Sequence, residues 1–190
     1  MVSFTTYSLL VTLMSAILLS STSQAAQRYV FKVIDQNGVS LNKAVIEPFS
    51  NGATSHQQIE SLRTIDQIDK QFSPQQIIIS KGDSVEFPNS DNIRHHVYSF
   101  SKAKVFELKL YANKPERPVR FGEPGIVVLG CNIHDSMIGY VYVASTEKAT
   151  ETDHDGRAEI ESTQALKPVQ VWHAQPANGD ETLQMNETRT

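Results

Sequence analysis

The sequence predicts an all-β fold, an antiparallel sandwich or barrel, and three observations carry that expectation. Short runs of alternating apolar and polar residues recur along most of the 190-residue chain. Turn residues such as Asn37-Gly38 and Gly82-Asp83 divide them at regular intervals. Neither a long amphipathic helix nor a repeat of fixed period breaks the pattern.

Taken in order, the first 25 residues contain no Lys, Arg, Asp or Glu and hold an apolar run from Leu9 to Leu19 followed by SSTSQAA. This reads as a secretory signal peptide cleaved after Ala25, with Ser23 and Ala25 as its small residues. The run is shorter than the roughly 20 residues a membrane span needs. The mature chain, from Ala26, is therefore expected to be soluble and periplasmic or otherwise exported. YVFKVIDQNGVSLNKAVI then reads as two strands about a turn. From His56 to Lys70 the apolar residues Ile59, Leu62, Ile65 and Ile68 recur every third place, which predicts a short helix or an irregular connection leading into a strand. FSPQQIIISKGDSVEF, HHVYSF, VFELKLY, GIVVLGC and MIGYVYV supply further strands. After Val143 the chain turns polar: 146–190 is expected to be an extension with one or two strands, in TDHDGRAEI and PVQVWHA, and a frayed tail from Ala174.

The formal charge of -4, with no basic cluster, excludes the nucleic-acid-binding classes. The single cysteine, Cys131, cannot form an internal disulfide. In an oxidising compartment an unpaired thiol is a liability unless it is buried or used. Its neighbours supply a use. In GCNIHDSM, Cys131, His134 and Met137 fall within one seven-residue loop between two strands. Copper that cycles between two oxidation states favours a thiolate, two imidazoles and a weak axial thioether. The second imidazole must come from another strand, and His95 and His96, just after the loop PNSDNIR, are the available source. Strand alternation says only that these two point to opposite faces.

GCNIHDSMIGYVYV resembles the copper-binding loop and last strand of the cupredoxins, the blue copper proteins that include plastocyanin and amicyanin, with the short C-x-x-H-x-x-M spacing of the latter. FSPQQIIISKGDSVEFPNSDNIRHHVYSF resembles the family's stretch up to its first ligand histidine. The likeness runs from Phe72 to Val143 and is nearest to the plastocyanin-like methylamine utilisation group. It implies a Greek-key β-sandwich of cupredoxin type with extra flanking strands, the copper domain occupying 26–145. By position it makes His95, Cys131, His134 and Met137 the ligands of one mononuclear copper, with His134 in an apolar surface patch as the electron port. His96 stands where the family usually has Asn, so His96 and Asn89 are bracing residues or alternative ligands. The implied function is electron transport between redox partner proteins by a monomer that is not an enzyme.

Other classes compete with this one. The ligand set equally permits a copper carrier or sensor. Gly130 and Asn132 flank the cysteine where multicopper oxidases have histidines, and a two-copper centre needs a second cysteine. Nucleophilic catalysis by Cys131 with His134 as base lacks an orienting third group. VIDQNGVSLNKAVI and TDHDGRAEI with VQVWHA resemble the two ends of a transthyretin-like module, to which 29–70 would then belong. Asp153 and Asp155 fall short of a calcium loop and read as a turn. His56, His154 and His173 are expected to lie outside the site.

Overall fold

The computed structural model describes residues 25–49, 60–115, 117–166 and 169–174, and the backbone of 184–189. The signal expected over 1–25 falls, apart from Ala25, outside the described residues, as does His56. Every regular element described is a strand: β1 (Gln27–Ile34), β2 (Val45–Pro48), β3 (Leu62–Thr64), β4 (Asp66–Ile68), β5 (Gln71–Ser73), β6 (Gln76–Ser80), β7 (Ser84–Glu86), β8 (His95–Ser101), β9 (Lys104–Tyr111), β10 (Val119–Arg120), β11 (Gly125–Gly130), β12 (Ile138–Ala144), β13 (Thr150–Glu151), β14 (Arg157–Ser162), β15 (Val169–Trp172) and β16 (Gln184–Arg189). No helix among the described residues is long and apolar enough to cross a membrane.

A central lobe is built on a five-stranded sheet in the order β6-β12-β11-β8-β9, with β10-β7-β3 and the hairpin β4-β5 completing the sandwich. Alternation decides what each strand buries. β11 turns Val127 and Leu129 inward and Val128 outward, while β8 turns His95, Val97 and Ser99 inward. With Phe87, Phe121, Val141 and Met137, the apolar residues among these form one core. β12 lies antiparallel to β11 and parallel to β6, so the strand after the cysteine loop is paired on both sides within the sheet.

The flanks of the chain make a second sandwich from the sheets β14-β1-β16 and β13-β2-β15. Its own core contains Tyr29, Phe31, Val33, Ile46 and Ile160. Neither flank alone has enough strands to bury its apolar face, so the two ends of the chain complete each other around the central lobe. The polar extension is richer in strands than its composition predicts, because β16 takes its place by backbone pairing to β1, from Tyr29↔Arg189 to Ile34↔Gln184, where a frayed tail is expected. The lobes meet where Val45 and Trp172 pack on Tyr142, Ala144 and Ile78.

Of the two alternatives expected over 56–70, the helix is absent from the described part, where irregular residues 60–61 lead into the short strands β3 and β4. Leu62 is 54% and Ile68 41% exposed while Ile65 is fully buried, so the three-residue spacing marks no single face. Ile65 enters the core between two three-residue strands, its N–H donating to the Glu86 carbonyl at 3.0 Å.

Candidate metal centre

β11 and β12 pair up to Gly130↔Ile138, so residues 131–137 must reverse the chain in one tight loop. The Met137 N–H donates to the His134 carbonyl at 2.9 Å and the Ile138 N–H to that of Ser136 at 3.1 Å. This closure sends Cys131 and Met137 into the core, 3% and 0% exposed, and leaves His134 partly exposed beside the half-exposed Ile133. On the other side of β11 runs β8, joined to it at Tyr98↔Gly130. Three residues earlier, at the mouth of the sandwich, His95 begins β8 with its imidazole fully buried.

Three donor atoms converge there. Cys131 Sγ lies 3.7 Å from His95 Nδ1 and 3.8 Å from His134 Nδ1. All three atoms lie within 4.8 Å of one another. The two imidazoles are tilted by 55° with centroids 5.0 Å apart. A thiolate at roughly 2.3 Å and an imidazole at roughly 2.0 Å from one ion, at trigonal angles, would stand about 3.7 Å apart. The trio therefore fits a shared metal ion, and Met137 lies at the end of the same loop as a buried thioether.

Asp91, which no sequence pattern singles out, holds His95 in place. Its Oδ2 lies 2.6 Å from His95 Nε2, and its carboxylate also accepts the N–H groups of Asp69 at 2.7 Å and Lys70 at 3.0 Å. Those two N–H groups come from the β4-β5 turn, where both residues have positive φ, 51° and 59°. Desolvation opposes ionisation of Asp91, but the hydrogen bonds from Lys70, His95 and Asp69 outweigh it and hold its pKa below the ordinary value. An ionised carboxylate only accepts, so His95 donates from Nε2, which turns its Nδ1 toward the sulfur.

Asn89 ties down the same loop: its Nδ2 donates to the carbonyls of Ile93 at 2.8 Å and Tyr111 at 3.1 Å, and its Oδ1 accepts the Asp91 N–H at 3.1 Å. His96 points to the opposite face and meets Glu107 Oε1 at 2.9 Å, so it neither joins the trio nor braces it. Elsewhere, Asp153 Oδ1 accepts the N–H groups of Asp155 and Arg157, both at 2.9 Å, which makes DHDG a turn. Asp153, His154 and Asp155 do cluster, but all three are exposed. His173 bonds the Asn42 carbonyl at 2.9 Å in the second lobe.

No family model matches the chain, and no curated protein matches it. Among solved structures it is similar to a copper-containing nitrite reductase from Thermus scotoductus, at 23% identity and a TM-score of 0.42, over 53% of this chain and 26% of the reductase chain. It is similar to a purple cupredoxin from Nitrosopumilus maritimus, at 22% identity and a TM-score of 0.38, over 45% of this chain and 100% of the other. A pseudoazurin from Methylobacterium extorquens matches at 17% identity and a TM-score of 0.39, over 45% of this chain and 76% of the pseudoazurin.

Proposed function

We propose that this protein is an exported electron carrier that binds one copper ion through His95, Cys131, His134 and Met137 and passes single electrons between larger redox proteins. The observation that carries the reading is the convergence of Cys131 Sγ with the Nδ1 atoms of His95 and His134, at 3.7 and 3.8 Å. A trigonal Cys-His-His set with a methionine beside it is the donor set of copper electron-transfer sites. Export rests on the sequence of residues 1–25.

Bound copper would supply a one-electron couple; the rest of the chemistry belongs to the chain. Thiolate and imidazole suit both oxidation states, so the ligands need not exchange when an electron arrives. Three come from a loop clamped between paired strands, and the fourth is held by Asp91, which limits their movement. Burial of Cys131 and Met137 keeps water and oxidants from the sulfur atoms. Four protein ligands leave no open position for a substrate, which favours a carrier over an enzyme. His134, partly exposed beside Ile133, offers the edge through which an electron would leave.

The test is a visible absorption spectrum of the protein with one equivalent of Cu(II), beside Cys131→Ser, His95→Ala and His96→Ala. The expected result is an intense thiolate-to-copper band that bleaches reversibly with reductant, is lost in the first two variants and survives in His96→Ala. Copper binding without that band would refute electron transfer and point to a copper carrier or sensor.

A further inference from the structure

The outer face of the five-stranded sheet is covered over only part of its width. On β6 and β12, Ile78 and Tyr142 lie against the second lobe, whose Trp172 packs on Tyr140 and Tyr142 with ring centroids 5.5 and 5.9 Å apart. On β8, β9 and β11 the same face is open among the described residues: Phe100 is 80% exposed, Val105 65% and Val128 43%, with Ile138 at 38% beside them. Phe100 stands opposite Val105 in register, and its ring lies 5.1 Å from that of Tyr98. Several large apolar side chains exposed together on one sheet face mark an interaction site more often than chance exposure.

This face leads to the candidate metal centre. A groove walled by Tyr98, Phe100, Val128 and Ile138 reaches Cys131 and Met137 at its inner end. The Tyr98 ring lies on Gly130, where an added Cβ would come within 2.8 Å of it, so glycine is what lets this aromatic ring close on the residue preceding Cys131. The groove brings the outer face of the sheet to the strand end that carries Cys131, whose side chain turns inward to the core, and His134 is not among its lining residues.

The charges on this face select the occupant. Lys102 in the β8-β9 turn and Lys109 on the outer face of β9 take part in no ion pair among the described residues. Glu107, the carboxylate on the outer face of β9, is engaged by His96. Asp135 lies at the loop end of the groove, away from the hairpin. A second copy of the chain would set lysines against lysines, whereas a carboxylate-ringed surface would meet them with opposite charge. We propose that the Tyr98–Phe100–Val128 face is a docking surface for a one-electron redox protein whose apolar contact patch is ringed by carboxylates. Its purpose as an electron port rests on the proposed copper function; the docking does not.

The probe is a small b-type cytochrome domain whose exposed haem edge is ringed by carboxylates, titrated into the isotope-labelled protein and followed by backbone amide shifts, with a lysine-ringed cytochrome as control. Shifts should gather on residues 98–105 and 128–130, and affinity should fall with added salt. It should drop several-fold in the combined Lys102→Gln, Lys109→Gln variant, and about tenfold in Phe100→Ser. These side chains are on the surface, and unchanged thermal unfolding would show that the variants fold. Shifts centred on Ile133 and His134 with unchanged affinity in both variants would overturn the proposal. So would absence of saturable binding, or concentration-dependent self-association through this face. Running the titration with and without copper separates the two readings: docking without a copper band leaves the surface standing and removes the carrier, whereas a copper band without docking removes the surface alone.

Discussion

Replacing Asp91 by asparagine tests whether the metal ligands are held by their surroundings or only by their own loop. In the native chain the Asp91 carboxylate accepts from His95 Nε2 at 2.6 Å and from the N–H groups of Asp69 and Lys70. The carboxamide of Asp91→Asn would have one oxygen for donors that now approach two, so its amide nitrogen must face at least one N–H. A lost charge-assisted hydrogen bond with one donor left unpaired costs about 1–3 kcal/mol. Asp91 has a side chain only 12% exposed, so solvent recovers little of that cost. The metal-free variant should therefore unfold at lower urea concentration by about that free energy. Loss of a carboxylate behind a ligand histidine should also weaken metal binding about 10- to 100-fold. Removing a negative charge beside the site should raise the midpoint potential, because the less positive oxidation state of copper is then favoured. Urea unfolding of the metal-free form, competition with a chelator for Cu(II) and redox titration measure the three effects separately. If stability falls while metal affinity and potential stay at their native values, Asp91 is a loop tie alone and its role behind His95 is refuted.

Glu47, 6% exposed, accepts from the Tyr142 hydroxyl at 2.8 Å, from the Ser145 N–H and hydroxyl at 2.6 and 2.9 Å, and from the Thr146 N–H at 2.7 Å. Glu47→Ala would strand these donors where the two lobes meet and should cost about 3–5 kcal/mol, splitting calorimetric unfolding into two transitions, while Glu47→Gln should cost less. Met137→Leu conserves volume at a fully buried position, so stability should fall by less than about 1.5 kcal/mol, while loss of the thioether should shift the copper potential in redox titration. Gly156 has φ +72°, and a Cβ there would lie 2.5 Å from the Val33 carbonyl oxygen. Gly156→Ala should therefore destabilise the second lobe by about 2–4 kcal/mol in urea unfolding, with the copper spectrum of the central lobe retained.

Whatever short range decides in this protein can be read from its residues in order. Val127 and Leu129 alternate with Val128 in β11, and that period of two follows from strand geometry alone, so the all-β class and most central strands are readable before any fold is known. Cys131, His134 and Met137 lie within one loop, and their spacing alone brings them near one another. The remaining features needed the folded chain. His95 and His96 are adjacent and point oppositely, and it is the pairing of β8 with β11 that gives the inner face, and so the approach to Cys131, to His95. Asp91 and the Asp69-Lys70 turn carry no periodic signal, because they meet through hydrogen bonds between loops some 20 residues apart. Leu62 to Ile68 has near-helical spacing, yet β7 offers β3 an edge to pair with and the segment becomes strand. Likewise β16 is polar in sequence and becomes a strand by backbone hydrogen bonding to β1, at the other end of the chain. Side-chain periodicity records what a segment buries, and it is silent about which distant backbone or carboxylate will complete it.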